Sequence, residues 1–346
     1  MKKVLVLGGG GFIGNNIVRF LVKRGDCDVT AADISHSRGW DDFLGDNAVR
    51  DRFHVVTDDF TTAAAFNRLG GGFNQVYMMS AIVGVNRTLE EPEEVIRVNT
   101  LLTMHTLEWI RKNPIKRLLF ASSSENYAGT SDAFGVPVPT PETVPLCIVD
   151  VRHPRFTYAM TKMHGECAFL HSAEHLDYEC VVVRYQNIIG PNMGFRHAIP
   201  HIVQRFVAGE SSPFKIYGND QTRAFCFISD AVNGTVSAME CSRSKGEIYH
   251  IGNVEEITMG TLTREIGRLM NYQGEYESAM TYPGSVTRRC PDISKCRDHF
   301  GYEPTVPWKT SVVKTIEWYR EFFESGAKPA SGGFVPPEHF LQGESK

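Results

Sequence analysis

The stretch Val4-Leu5-Val6-Leu7-Gly8-Gly9-Gly10-Gly11-Phe12-Ile13-Gly14 decides the fold class of this chain. Four apolar residues running straight into glycines read as a buried strand that ends in a tight turn. Ile13, Ile17, Val18, Leu21 and Val22 then recur at helical spacing. Gly8, Gly11 and Gly14 leave the backbone free to approach a pyrophosphate, and the helix beginning near Phe12 and Ile13 offers that charge its N–H groups and positive dipole end. The spacing differs from the commoner GxGxxG, but the physical requirement is shared. Asp28 to Ala32 reads as a second strand, so the opening is a βαβ unit with a short crossover. Its last residue, Asp33, can accept both hydroxyls of an adenosine ribose and repels a 2′-phosphate, which favours NAD over NADP. Arg38 weakens that preference unless it simply faces solvent from a loop.

Moving outward, apolar runs at Phe53 to Thr57, Gln75 to Met79, Arg117 to Ala121 and Glu179 to Tyr185 read as strands, with helical patterns near 92 to 111 and 158 to 175. Alternation of this kind predicts a Rossmann-type, doubly wound parallel α/β sheet, because parallel strands need crossovers that cover both faces. Asp59, before Phe60 at the end of the third strand, suits either the adenine amino group or a helix N-cap. Beyond about residue 190 the chain becomes punctuated by glycines, with short strands and helices at 197 to 208 and 259 to 270. The expected division is a dinucleotide-binding domain over 1–185, with parts of 220–255 returning to it, and a smaller interleaved substrate lobe over 186–324. The Gly-, Pro- and Ser-rich segment 325–346 reads as a loosely held tail.

Composition narrows the function classes. With 346 residues and 42% hydrophobic content the chain can bury a large core. A formal charge of −4, with basic residues scattered among acids, gives no footprint for nucleic acid or an anionic membrane. No apolar run is long enough to span a bilayer, and the stretch after Lys2 and Lys3 breaks into glycines too early for a signal peptide. The eight cysteines are dispersed, with no CxxC pair or zinc-ligand spacing, so they read as reduced thiols of a cytoplasmic protein, and no metal site is expected.

The second informative stretch is Tyr158-Ala159-Met160-Thr161-Lys162. A Tyr and a Lys four apart stand one above the other on a helix, so an ammonium there can lower the phenol's pKa and make it a general base. Alone, the pair is a weak signal. Its weight comes from agreement with the nucleotide-binding opening.

Taken together, LGGGGFIG (7–14), VYMMSAIVGV (76–85), VNT (98–100), LLFASSSENY (118–127), YAMTK (158–162), RYQNIIGPN (184–192), IYGNDQTRAFCFISD (216–230) and RRCPDISK (288–295) resemble the extended short-chain dehydrogenase/reductases, specifically the nucleotide-sugar epimerase/dehydratase family. The resemblance spans about residues 3 to 320. It implies Tyr158 as base, Lys162 on the nicotinamide ribose and Ser123, four before Tyr127, as the hydroxyl beside the phenol. It implies Asn99 as a cofactor contact, and Asn187, Arg223 and Arg288 or Arg289 at the substrate's diphosphate, a group that an arginine fork suits. Asp230 is expected to cap the following helix. Helices 92–111 and 158–175 look like the pair that forms a homodimer interface in relatives, although their apolar residues serve equally as internal core.

The resemblance further implies a shared opening step, oxidation of the sugar's C4 hydroxyl, with epimerisation as the expected outcome. Hexuronate decarboxylation and 4,6-dehydration are the alternatives. Glu125 discriminates among them: dehydratases and decarboxylases of the family place a catalytic glutamate there, whereas simple 4-epimerases do not. Read bare, Glu125 is an exposed turn carboxylate and Ser122 to Ser124 a strand-end turn. Ser124 departs from the Asp-Glu pair of the best-known dehydratases. Arg155, three before Tyr158, suits a decarboxylase, but the carboxylate-binding arginine of that branch falls on His197, with Arg196 beside it. From a different class, a nucleotide-binding module without chemistry remains, against which the intact Ser123, Tyr158 and Lys162 argue.

Overall fold

The computed structural model describes residues 1–37, 40–195, 197–281 and 286–326. Arg38, Arg196 and nearly all of the expected tail lie outside the described residues. The first half runs β1 (Lys2–Leu7), α1 (Phe12–Arg24), β2 (Cys27–Asp33), α2 (Asp41–Gly45), β3 (Phe53–Thr57), α3 (Ala63–Leu69) and β4 (Gln75–Met78). It continues through α4 (Val85–Glu90), α5 (Pro92–Lys112), β5 (Arg117–Ser123), α6 (Ala128–Phe134), α7 (Phe156–His175) and β6 (Glu179–Tyr185). The second half contains β7 (Ile188–Ile189), α8 (Ala198–Val207), β8 (Phe214–Tyr217), β9 (Thr222–Ala224), β10 (Cys226–Phe227), α9 (Ile228–Glu240) and β11 (Glu247–Ile251). It ends with β12 (Glu256–Thr258), α10 (Met259–Leu269), β13 (Tyr276–Ala279), β14 (Arg288–Arg289), α11 (Ser294–Phe300) and α12 (Trp308–Glu324).

Alternation along the central strands explains the layers. Val4 and Val6 face one core with Val181, Val183, Ile17 and Val18, while Leu5 and Leu7 face a second with Val182, Phe120 and Phe169. Both faces are therefore covered, and all pairings in the seven-stranded sheet, ordered β11-β6-β5-β4-β1-β2-β3, are parallel. The strand order reverses between β1 and β4, which opens a crevice at their C-terminal ends. β11 joins this sheet beside β6, and α9 packs with Ala231, Val232 and Val236 into the same core as α1. The lobe has its own core, in which Ile199, Ile202 and Val203 of α8 meet Leu262 and Ile266 of α10 and Val312, Ile316 and Tyr319 of α12. Its three-stranded sheet, β12-β9-β14, faces the mouth of the crevice.

Candidate active site

The crevice begins at the glycine turn. Gly8 has φ +82, and a side chain there would put Cβ 2.5 Å from the backbone nitrogen of Ser80, so the turn lies directly on the segment after β4. A Cβ on Gly14 would stand 2.1 Å from the Gly8 carbonyl oxygen, which lets α1 start immediately against the turn. Gly11 precedes α1 and no side chain caps that helix, leaving its first N–H groups for an anion. Asp33 ends β2 with Oδ2 accepting from the Gly10 N–H (2.9 Å) and Oδ1 from the Ile34 N–H (2.7 Å). A close backbone cradle, an uncapped helix start and an adjoining carboxylate fit a dinucleotide. Phe12 and Ile13 turn their side chains onto the core, so their backbone is what faces the turn.

Three expected cofactor residues have structural duties. Asp59 does not cap α3, whose N-cap is Thr62; its Oδ1 accepts instead from the N–H and hydroxyl of Thr61 (2.9 and 2.7 Å). Phe60 is core, its ring 5.2 Å from that of Phe66. Asn99 is buried and spans two elements, accepting from the Ile82 N–H (2.7 Å) and donating to the Ile82 carbonyl and to Thr161 Oγ1 (3.1 Å). It clamps the segment after β4 to α7.

The groups expected to react sit on a ridge made by the end of β5 and the start of α7. Ser123 closes β5, and its hydroxyl accepts from the Glu125 N–H (3.2 Å) and lies beside the Tyr158 phenol. One turn along α7, Lys162 is buried; its Nζ donates to the Ala121 carbonyl (2.7 Å) and lies 5.8 Å from the centre of the Tyr158 ring. Burial pushes Lys162 down to about 7, against the opposing charge of Glu166. Burial drives the Tyr158 phenol well up; the Ser123 hydroxyl works against that and the Glu125 charge adds to it. At rest, burial outweighs any lowering of the phenol's pKa by the ammonium. Lys162 points at a backbone carbonyl, and burial costs a phenolate more than its neighbours return, so the resting group is a phenol.

Below the ridge lies a network that sequence reading missed. Glu166 Oε1 accepts from Ser122 Oγ (2.5 Å), Asn126 Nδ2 (2.8 Å) and Arg184 Nε (2.8 Å), and Oε2 accepts from Arg184 Nη2 (2.6 Å). Arg184 Nη1 also donates to the Tyr127 hydroxyl (2.6 Å). His250 Nδ1 lies 3.0 Å from the Asp292 carbonyl oxygen, which only accepts, so Nδ1 carries the proton and Nε2 accepts from the Tyr127 hydroxyl (2.7 Å). Burial pushes His250 down to about 3, which keeps it neutral. A carboxylate four residues after Lys162 was the available signal.

Arginines face the ridge from the lobe. β14 pairs with β9 so that Arg289 is opposite Arg223 and Arg288 opposite Thr222. Paired residues share a face, which puts Arg223 and Arg289 together and Arg288 on the other side. Arg289 Nη1 donates to Glu125 Oε1 (2.5 Å) and to Ser124 Oγ (3.4 Å). Arg288, half exposed, is taken up by Glu256 (2.6 and 2.8 Å). Arg155 binds Asp132 (2.9 Å). Burial would raise Glu125, but the charge and hydrogen bond of Arg289, with more distant help from Arg155 and Arg223, hold it below the usual carboxylate range. Glu125 is thus a half-buried, ion-paired carboxylate and not an exposed turn residue. Ser124, Ser131, Gln186 and Arg289 border a small cleft beside it.

Other expected contacts turn inward. Asn187, with φ +44, donates to the Ala224 carbonyl (3.3 Å), and its own carbonyl accepts from the Cys226 N–H, fastening the β6–β7 turn to β9 and β10. His197 immediately precedes α8, and burial lowers its pKa, so it is neutral. Asp230 does not cap α9, whose N-cap is Phe227; it accepts from the N–H groups of Thr305 and Val306 and tethers the segment before α12.

The sequence model of the NAD dependent epimerase/dehydratase family matches residues 4–252. The chain belongs to this family. It is an NAD-dependent enzyme of the epimerase/dehydratase family. The chain is 28% identical over 333 residues to the UDP-N-acetyl-alpha-D-glucosaminuronate decarboxylase of Bacillus cytotoxicus, covering 92% of this chain and 98% of that one. It is 26% identical to the UDP-glucose 4-epimerase of Mycolicibacterium smegmatis, again over 92% and 98%. In fold it matches the crystal structure of UDP-glucose 4-epimerase from Thermotoga maritima with a TM-score of 0.78 at 23% identity, over 93% of this chain and 99% of the other. Among the described residues, no helix is long and apolar enough to cross a membrane, no His, Cys, Asp and Glu cluster could hold a metal ion, and all eight cysteines are free thiols.

Proposed function

We propose that this family member transiently oxidises C4 of a nucleotide-linked hexuronate, lets the resulting β-keto acid lose carbon dioxide and reduces C4 again. The observation that carries the oxidation is the Ser123 hydroxyl beside the Tyr158 phenol, one helical turn from Lys162, at the mouth of the dinucleotide crevice. Bound NAD supplies acceptance of the C4 hydride and its later return. The Gly8–Gly14 turn holds its pyrophosphate, Asp33 its adenosine ribose and Lys162 its nicotinamide ribose. Once its own proton has passed to solvent, Tyr158 as the phenolate removes the C4 hydroxyl proton, with Ser123 bridging sugar and phenolate, and protonated Lys162 offsets the phenolate's charge. Arg223 and Arg289, side by side, bind the substrate's diphosphate.

Glu125 and Ser124 decide the fate of the C4 ketone. Because Glu125 is held as a carboxylate, it serves as a base or as a negative neighbour to the sugar's C5–C6 end, and not as an acid. Dehydration needs an acid for the departing hydroxide, and the Ser124 hydroxyl is too weak for that. Decarboxylation expels no hydroxide: the electrons of the breaking C5–C6 bond flow to the C4 ketone, and the resulting enolate takes a proton at C5 from solvent water. A substrate carboxylate facing Glu125 is destabilised relative to neutral carbon dioxide. Similarity to a glucosaminuronate decarboxylase supports this reading. Neutral His197 supports epimerisation as the second reading, since no fixed charge at that position recognises a carboxylate. The free thiols suit a cytoplasmic enzyme, and α5 with α7 supplies the face for a homodimer.

The test is incubation with UDP-, dTDP-, GDP- and CDP-linked hexuronates and hexoses, with products read by mass and NMR. Loss of carbon dioxide supports decarboxylation. Unchanged mass with inverted C4 establishes epimerisation in its place, and loss of water establishes dehydration.

A further inference from the structure

The proposed reaction leaves one buried charge unused. Glu166 follows Lys162 by one turn of α7, and each is 4% exposed. Three of its four hydrogen bonds converge on Oε1: Ser122 from β5, Asn126 from the turn after β5 and Arg184 Nε from β6. Ser122 and Asn126 flank the segment that points Ser123 and Glu125 the other way, into the crevice. The carboxylate therefore touches both shoulders of the reacting strand end and shares a helix face with the reacting ammonium.

The charges explain why an acid is needed here. Around Lys162, α7 brings the ionisable Tyr158 and Glu166, β5 brings the Ala121 carbonyl and the Phe120 ring, and α5 brings neutral Asn99 at the adjoining Thr161. From β6 the Arg184 guanidinium reaches Glu166 on its far side. Without Glu166 the region would hold two buried cations and no anion. A guanidinium cannot give up its proton at ordinary pH, so the ammonium would yield first. A deprotonated Lys162 cannot offset a Tyr158 phenolate.

We propose that Glu166 is a positioning residue for the reaction: its carboxylate keeps the proton on Lys162 and, through Ser122 and Asn126, fixes the strand end that carries Ser123 and Glu125. This rests on the Tyr158–Lys162 reading above. Arg184 serves as the fixed countercharge that lets the carboxylate be buried at all.

The test reads Lys162 directly. In protein carrying 13Cε-lysine, with the resonance assigned through Lys162→Met, the titration midpoint of Lys162 falls by about one pH unit or more in Glu166→Gln. At neutral pH kcat falls about five- to tenfold with KM held, and the basic limb of the rate profile moves by the same interval. Since Glu166→Gln strands Arg184, the double variant Glu166→Gln/Arg184→Met supplies a folded comparison without the buried pair. Its midpoint falls less but stays below that of the unaltered protein. An unchanged or raised midpoint in either variant overturns the proposal. Full turnover by Lys162→Met overturns the reading of the site itself, which is a separate failure.

Discussion

The ridge at the end of β5 and the arginine-bearing sheet of the lobe meet at the Glu125–Arg289 pair, and they are built in opposite ways. On the ridge side, Ser122, Ser124, Asn126, Lys162, Glu166 and Arg184 are all less than a tenth exposed. Apart from Ser124, which accepts from Arg289, and Arg184, which also donates to the Tyr127 hydroxyl, their hydrogen bonds run to one another or to backbone, and a buried group that lost its partner would bear the full desolvation cost. On the lobe side, Arg288 is about half exposed and paired with Glu256 on the far face, and Arg289 is paired with Glu125, a carboxylate that an incoming anion can replace. On the proposed reading the contrast divides the work: bond-making would be lodged where geometry cannot relax, and substrate recognition where ion pairs exchange.

The largest effect is expected from the ridge. Tyr158→Phe removes the proton acceptor and should lower turnover by about three orders of magnitude while NAD binding, followed by calorimetry, stays within about twofold. Unchanged turnover would remove Tyr158 from the chemistry. Glu125→Gln, at the meeting point, should reduce carbon dioxide release by about a hundredfold; near-normal turnover would move the assignment to epimerisation.

The lobe should respond in KM. Arg289→Gln is expected to raise KM for the nucleotide sugar by about tenfold or more with a smaller change in kcat, because its fork binds ground and transition states alike. A loss confined to kcat would place Arg289 with the reacting groups. Arg288→Ala removes an exposed cation paired on the far face and should alter neither constant by more than about twofold. Stability should run opposite to activity on the ridge. The folded pKa of Lys162 lies below its unfolded value, so the unfolded chain binds more protons from about pH 7 upward to the ordinary lysine range, and the burial penalty falls as pH rises through that window. Lys162→Met should therefore raise unfolding stability at neutral pH by on the order of 2 kcal/mol in denaturant titration, with the gain shrinking at high pH.

How much of this was legible depended on whether the signal was local. β1 and the glycine turn were readable because a buried apolar run that ends in glycines leaves few alternatives, and β6 because Cys180 to Val183 form a short apolar, β-branched run. β5 was expected to stop at Ala121 but continues through Ser122 and Ser123, opposite Arg184 and Tyr185 of β6. Two serines do not read as strand until Glu166 is seen to satisfy the first of them. The Tyr158–Lys162 pair was visible as a spacing, but its charge state was not, since burial sets it and burial is a property of the assembled layers. The Glu125–Arg289 pair joins residues 164 apart in sequence, and nothing in either neighbourhood announces the other. Asp230 and Asn187 carried recognisable motifs and yet face inward, because the 305–306 turn and the β9–β10 segment needed acceptors and donors that only the fold brings near.

The most direct test of the central claim is a single-turnover experiment with NAD-loaded protein and the nucleotide-linked hexuronate that it accepts, following the absorbance of reduced nicotinamide alongside product. The account predicts a transient rise in reduced cofactor that precedes product and disappears in Tyr158→Phe. Product formed without any reduced cofactor, or an unaltered transient in Tyr158→Phe, would contradict it.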